Sequence, residues 1–453
     1  MDALTRRRFL CAASAGGLAY AFGRTPGAAV AEAATVSGFS DYRALVCVYL
    51  LGGNDSWSMV VPTSQAEYDA YAASRQNLAI AQDRLLPITA LNDPPVQYGL
   101  HPSLAPIVPL FESGACAFIA NVGPLIAPVT RDEYLAHDAT LPPQLFSHLD
   151  QQEQWLTLRG RAPSKTGWAG RVADLLATQI PGQQLPLNIS LAGTTPLQAA
   201  ARARPYVIGA AGPANFTAFG TSSLQVNRRN SFVALTNGSY DTLYGRAVAD
   251  TQRRTLSFAS FVNSAIASAP AFQATFPTGT PLGQQLKTVA QLIAVREQLG
   301  ATRQIFFVAV GGFDTHDEQV SVQPGLFSTL GAALSGFHAA MGELGVTASV
   351  MTFTQSDFGR TLTSNGDGSD HAWGGLQLVL GGAVRGQTIY GSYPELRIGA
   401  PNDVGGGRFI PAVSSDQYVA TLARWFGVDE PNIPTIAPSI GNFTEQDLGF
   451  IAS

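Results

Sequence analysis

The sequence is poor in cysteine. Its 453 residues include only three, Cys11, Cys47 and Cys116, and none of the intervals between them has the Cys-x-x-Cys spacing. This argues against a zinc ribbon and against a small fold held together by disulfides. Cys47 and Cys116 stand in apolar, strand-like runs, where a cysteine typically serves as a small packing residue.

Charged residues are scarce as well. Asp, Glu, Lys and Arg make up 13% of the chain, the net charge is −5, and there is no long basic run. Nucleic acid and anionic membrane surfaces are therefore poor partners for this protein. By contrast, 46% of the residues are hydrophobic, with 46 glycines and 28 prolines, which indicates a sizeable core connected by many loops.

The first residues predict export. The segment TRRRFLCAASAGGLAYAFG contains a twin arginine, Arg6 and Arg7, and a short apolar run, and small residues suited to cleavage follow near Ala31 and Ala33. This pattern is typical of a twin-arginine signal peptide, here residues 1–33, which the export machinery for folded proteins recognises. The apolar run is too short to span a bilayer comfortably. We therefore expect a periplasmic or extracellular protein with no stable membrane span after cleavage.

Short apolar runs predict buried strands at 44–51, 115–120, 185–191, 304–310, 348–354 and 376–382. Apolar stripes between them, such as Leu282, Leu286, Val289 and Ile293, indicate amphipathic helices. Strands of this kind alternating with helices predict a three-layer α/β/α sandwich around a mostly parallel sheet. We expect one such domain over residues 40–453, with an insertion near 195–260, where the pattern becomes irregular.

Polar residues cluster beside four of these strands. The segments GGNDS, GGFDTH, QSDFGRT and SNGDGSDHAWGG supply Asp55 and Ser56, Asp314 and His316, Asp357 and Arg360, and Asp370 and His371. In such sheets the loops at the carboxyl ends of the strands form the ligand site. Carboxylates held close together repel one another, and a divalent cation removes that repulsion. Mixed Asp and His ligands suit zinc or manganese better than calcium.

Each of these segments also has a purely structural interpretation. Asp55 can end its strand in an Asx turn, and Asp314 can cap the next helix. Asp357 can form a structural ion pair with Arg360. Because structural caps and pairs need not share one rim, the convergence of distant segments favours a functional site.

A fifth segment, FSHLDQQEQW, places Ser147 at the start of a helix. Ser147 can be a simple N-cap, with Asp150 completing the S-x-x-D pattern. Alternatively, its hydroxyl lies beside the free N–H groups and positive end of the helix, which suit an anionic substrate. His148 can add a metal ligand or a proton donor.

Taken in order, the motifs LVCVYLLGGNDSWSMVVP, FSHLDQQEQW, GWAGR, GGFDTHDEQ and SDFGRTLTSNGDGSDHAWGG resemble those of an exported bacterial family called domain of unknown function 1501. That family is placed in the alkaline phosphatase-like and sulfatase-like superfamily. The resemblance extends from about residue 40 to residue 430. It implies an α/β/α sandwich with two divalent metals and a Ser or Thr nucleophile that attacks a phosphate or sulfate ester.

By this resemblance Asp55 looks like the metal-binding Asp after the first strand. Asp314, His316 and His371 look like the ligands of one metal, and Asp357 looks like the acid of the second. The sequence departs from the family pattern after Asp357, where relatives carry histidine. A site with one metal ion, or with none, therefore also stays possible.

The nucleophile has two candidates. Ser147 fits the order of the family motifs, whereas Ser56 is adjacent to the expected ligand Asp55. Arg360 is expected to hold the substrate anion through two parallel hydrogen bonds. The sequence therefore predicts an exported metal-dependent hydrolase of anionic phosphate or sulfate esters. The alternative is a non-catalytic envelope protein that keeps the scaffold to bind a partner or a surface polymer.

Overall fold

The structure, a computed structural model, describes residues 38–452 except residues 93, 161–162, 181 and 214–219. The predicted signal peptide, residues 1–33, lies outside the described residues. Within the described part of the chain, no helix is both long enough and apolar enough to cross a membrane.

The main-chain hydrogen bonds define fourteen strands among the described residues. They are β1 (Arg43–Leu50), β2 (Val60–Pro62), β3 (Leu86–Ala90), β4 (Val96–Leu100), β5 (Cys116–Gly123), β6 (Asn188–Ser190), β7 (Tyr206–Val207), β8 (Arg303–Val310), β9 (Val350–Ser356), β10 (Arg360–Ser364), β11 (Ser369–His371), β12 (Gly375–Leu380), β13 (Ile389–Tyr390) and β14 (Val413–Ser414).

Nine of these strands form one large sheet, in the spatial order β13, β5, β12, β9, β1, β8, β6, β7, with β14 also paired to β5. The pairings of β1 with β8 and β9, and of β6 with β7 and β8, are parallel. Strand β12 is antiparallel to both of its neighbours, β5 and β9. The six predicted strands all lie in this sheet, which is mostly parallel as expected, although β12 runs against the others.

The α-helices in the described part of the chain are α1 (Gln65–Arg75), α2 (Val108–Glu112), α3 (Arg131–Ala136), α4 (His148–Thr157), α5 (Trp168–Leu176), α6 (Ser223–Thr236), α7 (Leu243–Ala267), α8 (Pro281–Ala294), α9 (Gln319–Glu343), α10 (Ser415–Phe426) and α11 (Ile433–Ile436). Helix α8 has a well-formed start, because the Thr280 side chain accepts a hydrogen bond from the Gly283 N–H and Pro281 occupies the first turn.

Side chains of β1 alternate between two hydrophobic cores. Val46 and Val48 belong to the core covered by α8 and α9, whereas Cys47 and Tyr49 belong to the core covered by α4, α5, α10 and α11. A strand buried on both faces has a continuous apolar sequence, as β1 does. The predicted three-layer α/β/α sandwich is therefore confirmed. Cys47 and Cys116 are buried and not disulfide-bonded.

The segment 195–260, where the sequence predicts an insertion, contributes little to these cores. Helix α6 buries only Thr236, and the 25-residue helix α7 buries only Ala249, Val262 and Ala265. The segment includes β7, the last strand at one edge of the sheet. Whether it is an insertion relative to other proteins stays a prediction.

Candidate metal centre

Three neighbouring parallel strands end level at one edge of the sheet. Leu50 of β1 is in register with Val310 of β8 and with Ser356 of β9, so the loops that follow leave the sheet together. Gly52 and Gly53 have φ of +115° and +87°, and a Cβ at Gly52 would overlap the backbone of Asp314. Glycine is required here because the loops approach too closely for any side chain.

Asp314, His148 and His371 form a compact group at this edge. Their ligand atoms all lie within 4.8 Å of one another. The Nε2 of His148 is 3.4 Å from Asp314 Oδ2, and the Nε2 of His371 is 3.4 Å from Asp314 Oδ1. Asp314 follows β8, His148 is the first residue of α4, and His371 ends β11, so three separate elements deliver the group.

The second nitrogen of each imidazole faces an acceptor. His148 Nδ1 is 2.8 Å from Asp357 Oδ2, and His371 Nδ1 is 2.8 Å from the Phe146 carbonyl oxygen. Since a carbonyl and an ionised carboxylate only accept, these partners place the proton on each Nδ1. An imidazole that carries its one proton on Nδ1 has its lone pair on Nε2, and both Nε2 atoms lie on the side of the Asp314 carboxylate.

This arrangement suits a cation. Two imidazole nitrogens and a carboxylate, brought together from three separate elements, are a mixed ligand set of the kind that binds a divalent cation. Orientation of a ligating histidine by an acceptor on its other nitrogen is the usual second shell of a metal site. The residues therefore fit a divalent metal ion.

The surroundings of Asp314 and His371 favour their metal-binding forms. Burial opposes ionisation of Asp314, but the hydrogen bond and charge of Arg360, followed by the charges of His148 and His316, hold its pKa below the ordinary value. Burial lowers the pKa of His371 despite its hydrogen bond to Phe146. A carboxylate and a neutral imidazole are the forms that bind a metal.

Arg360 is placed differently from the prediction. It is fully buried, and its Nη1 donates to Asp314 Oδ1 at 2.8 Å and to the Gly52 carbonyl at 3.1 Å. Its Nε donates to the Ser369 carbonyl at 3.1 Å. The guanidinium is thus directed at protein groups and holds Asp314, whereas the sequence predicted that it would hold a substrate anion.

Asp55 and Ser56 are not brought to the group. The side chains of Asp55 and Arg75 form an ion pair in which both are completely buried, and Ser58 Oγ donates to Asp55 Oδ2 at 2.9 Å. Ser56 is buried, and its Oγ accepts a hydrogen bond from the Leu376 N–H at 2.7 Å. Asp55, predicted as a metal ligand, is therefore paired with the guanidinium of Arg75. The Ser56 hydroxyl, predicted as a nucleophile, is bonded to the backbone of β12.

His316 and Asp370 flank the group. His316 Nε2 is 3.1 Å from Asp314 Oδ1 but 2.8 Å from His371 Nε2. His316 Nδ1 is 3.2 Å from Asp370 Oδ1. Both residues border the three-residue group, and their predicted roles as metal ligands stay predictions.

Asp357 lies behind His148, on the side away from Asp314 and His371. Its Oδ2 accepts hydrogen bonds from the Gly52 N–H at 3.1 Å and from Gln152 Nε2 at 2.9 Å, besides the contact with His148. Gln152 follows His148 by four residues on α4 and so shares its helix face. The four-residue spacing of His148 and Gln152 is visible in the motif SHLDQQ, but Gln152 was not predicted as a site residue.

Ser147 stands between two residues of the site, because the Phe146 carbonyl orients His371 and His148 belongs to the metal group. Its hydroxyl donates to Asp150 Oδ2 at 2.6 Å and makes no capping bond to the helix backbone. Ser147 is therefore near the metal group with its hydroxyl held by a carboxylate, and its predicted role as nucleophile stays a prediction.

An open cleft of about 500 Å³ lies beside the group, lined by Tyr134, Phe146, His316, Asp370, His371, Val404 and Arg408. Arg408 Nε donates to the His371 carbonyl at 2.9 Å, and Nη1 donates to the Gly405 carbonyl at 3.1 Å. Its Nη2 makes no hydrogen bond to the residues described. Arg408 is thus the arginine of the cleft. It was not predicted as a site residue, although the three glycines before it, residues 405–407, indicate a tightly turned loop.

Replacing Asp357 by Asn should weaken metal binding by about 10- to 100-fold, the usual effect of removing an outer partner of a metal ligand. The amide cannot accept the His148 proton as strongly, so the ring loses its orientation. Titration of the metal-free protein with zinc, followed by calorimetry, measures the change. A loss as complete as that of Asp314→Asn would contradict the outer position, as would no loss at all.

The family described as protein of unknown function, DUF1501, matches residues 42–429. The chain belongs to this family. The match includes every residue of the candidate metal centre and the cleft beside it. The family description assigns no activity to DUF1501 members, and no curated protein matches this chain.

Solved structures resemble the DUF1501 chain only distantly. A 2-O GAG sulfatase has 8% identity and a TM-score of 0.32, with 88% of this chain and 75% of that chain covered. A putative sulfatase from Bacteroides thetaiotaomicron has 8% identity, a TM-score of 0.31 and coverages of 88% and 75%. The alkaline phosphatase of Thermus thermophilus has 10% identity, a TM-score of 0.26 and coverages of 75% and 64%. At these scores the likeness says nothing about activity.

Proposed function

We propose that this DUF1501 protein is an exported, metal-dependent hydrolase of phosphate or sulfate esters. The observation that supports the proposal is the convergence of His148 Nε2, His371 Nε2 and the Asp314 carboxylate within 4.8 Å, with both imidazoles oriented by acceptors on their other nitrogens. A cleft that carries an arginine adjoins this group and is open to an anionic substrate.

Zinc or manganese is the metal we propose. Two imidazoles and one carboxylate form a mixed nitrogen and oxygen set, which calcium disfavours. Three protein ligands also leave coordination positions open, as in catalytic zinc sites. When bound, the cation supplies Lewis-acid polarisation of the ester oxygen.

The residues of the chain supply the other roles. Arg408 faces the cleft and is placed to bind the ester anion through charge-assisted hydrogen bonds. Arg360 keeps Asp314 ionised and fixed in position. Ser147 is the candidate nucleophile, because Asp150 accepts its hydroxyl proton at 2.6 Å and so is placed as its base.

Metal analysis and an ester screen test this proposal together. Protein purified without chelators is expected to contain about one equivalent of zinc or manganese, and to hydrolyse aryl phosphates or aryl sulfates only with the metal present. Arg408→Gln is expected to raise KM about tenfold or more, as loss of a charge-assisted hydrogen bond does. Protein that binds neither zinc, manganese, magnesium nor calcium would refute the proposal.

One observation favours a second function, that of a non-catalytic envelope protein that binds a surface polymer. Ser56, one of the two candidate nucleophiles, is buried and its hydroxyl accepts a hydrogen bond from the Leu376 N–H, so hydrolysis would depend on Ser147 alone. If the protein binds metal but hydrolyses no ester, and Ser147→Ala and Ser56→Ala leave its envelope role intact, this second function replaces the first.

A further inference from the structure

A second cavity, of about 730 Å³, lies against the edge of the large sheet. It is bounded by α5, by α7, by residues 183–188 leading into β6, and by residues 202–206 leading into β7. These are the amino-terminal ends of two parallel strands. The metal group lies at the carboxyl ends of β1, β8 and β9, so this cavity is on the opposite rim of the sheet.

The rim of this cavity is positively charged. Arg202, Arg204 and Arg254 line it, against one acid, Asp250. Arg204 and Arg254 are exposed and make no hydrogen bond or ion pair with the described residues, whereas Asp250 is paired with Arg253, which lies outside the lining. Uncompensated guanidinium groups at one cavity of a chain with net charge −5 attract an anion.

The wall of the cavity combines aromatic and polar surface. Tyr206 is only 8% exposed, and its ring meets that of Phe258 edge to face at a centroid distance of 5.6 Å. The Tyr206 hydroxyl makes no hydrogen bond to the residues described. The ring is largely buried while the hydroxyl oxygen stays accessible at the cavity, so it can donate to or accept from a ligand there.

Polar residues complete the wall of the cavity. Asn188 lines it and is 2% exposed. Its Nδ2 donates to the Ala169 carbonyl at 3.0 Å and its Oδ1 is buried, so this side chain belongs to the wall. Thr251 and Thr255 on α7 also line the cavity. A ligand rich in hydroxyl groups is the kind that pairs such donors and acceptors.

We propose that this cavity binds an anionic saccharide, at a site separate from the metal centre. The acidic group of the sugar binds Arg204 and Arg254, its hydroxyls bind Tyr206 and the neighbouring polar groups, and its apolar face packs on the aromatic pair. A fatty-acid anion satisfies the arginines as well, but its alkyl chain makes no hydrogen bond with the hydroxyls of Tyr206, Thr251 and Thr255 in the wall.

Calorimetric titration of the exported protein tests this site. The probes are trigalacturonate, a sulfated galactotriose and a phosphorylated galactotriose, with neutral galactotriose and decanoate for comparison. We expect at least one anionic trisaccharide to bind with one-to-one stoichiometry, at least tenfold more tightly than the neutral sugar or decanoate. Its affinity should fall as salt is raised, because the arginines are exposed.

Variants locate the binding. The double change Arg204→Gln and Arg254→Gln is expected to weaken it about tenfold or more, and Tyr206→Phe about three- to tenfold. The matched control is Arg229→Gln, an exposed arginine of α6 that does not line the cavity; it should change nothing. Asp314→Asn should bind the sugar as the unchanged protein does, so this result is independent of the metal centre.

Three results would overturn the proposal. They are no binding of any anionic trisaccharide, tighter binding of decanoate than of the sugars, and equal losses in the control and in the double variant. Metal content and ester hydrolysis are measured on the same variants. A failure at this cavity is therefore distinguishable from a failure of the proposed hydrolase activity.

Discussion

Asp314→Asn is expected to leave the purified protein without its divalent cation and to lower ester hydrolysis about 10³-fold, equivalent to about 4 kcal/mol of transition-state stabilisation. Asp314 is the one carboxylate of the three-residue group, and its two oxygens each lie 3.4 Å from the Nε2 of one histidine. An amide has no negative charge, so the set loses most of its attraction for a cation. Elemental analysis of the purified protein and initial rates with aryl esters measure the two losses.

The control for this change is Asp317→Asn, in the same loop. Asp317 is exposed and has no hydrogen bond or ion pair with the described residues, so its loss should alter neither metal content nor rate. Because Asp314 also pairs with the buried Arg360, a thermal melt is needed to show that the variant is folded. His371→Gln gives a second route, since it removes a ligand and leaves the Arg360 pair intact. Retention of metal by both variants would exclude this group as the metal centre.

Arg75→Met is expected to lower the free energy of unfolding by about 3–5 kcal/mol, the range for removing one partner of a buried ion pair. Both side chains of the Asp55–Arg75 pair are completely buried. Met fills much of the same space but leaves the Asp55 carboxylate without its counter-ion. Urea unfolding of the variant, with the midpoint compared at constant slope, measures the loss.

A double variant separates this explanation from simple loss of packing. Adding Asp55→Leu to Arg75→Met removes both charges, and replacing both members of a buried pair is often close to neutral, so much of the stability should return. Arg84→Met, at an exposed arginine nearby in sequence, should change stability by no more than about 0.5 kcal/mol. If Asp55→Asn instead strips the metal from a stable protein, Asp55 is a ligand and our placement of it is wrong.

Much of the site could be predicted because parallel strands obey a simple geometric rule. Asp314, Asp357 and Asp55 each follow a strand of continuous apolar sequence, and such strands deliver their next residues to one edge of the sheet. The level ends of β1, β8 and β9 bear this out for the loops themselves. Sequence position therefore located the edge, but it could not say which way each side chain points from its loop.

The direction of each side chain depends on its ion-pair and hydrogen-bond partners, and the sequence pattern does not identify these partners. Asp55 turns to Arg75 and away from the metal group, although Arg75 lies 20 residues further along the chain in an ordinary helix. Arg360 is directed inward and binds Asp314. The arginine that lines the cleft is instead Arg408, from a glycine-rich loop. Such choices follow from which charge can be paired when water is excluded, and that is known only once the loops are packed.

By itself the amino-acid sequence determined the layered α/β architecture, since strands that are apolar throughout can be stable only when helices cover both faces of their sheet. It also determined which edge carries the polar loops. Tertiary structure alone decided that His148 joins Asp314 and His371 while Asp55 does not. The physical reason is that a buried carboxylate is satisfied by the nearest available cation, and proximity between distant segments exists only in the folded chain.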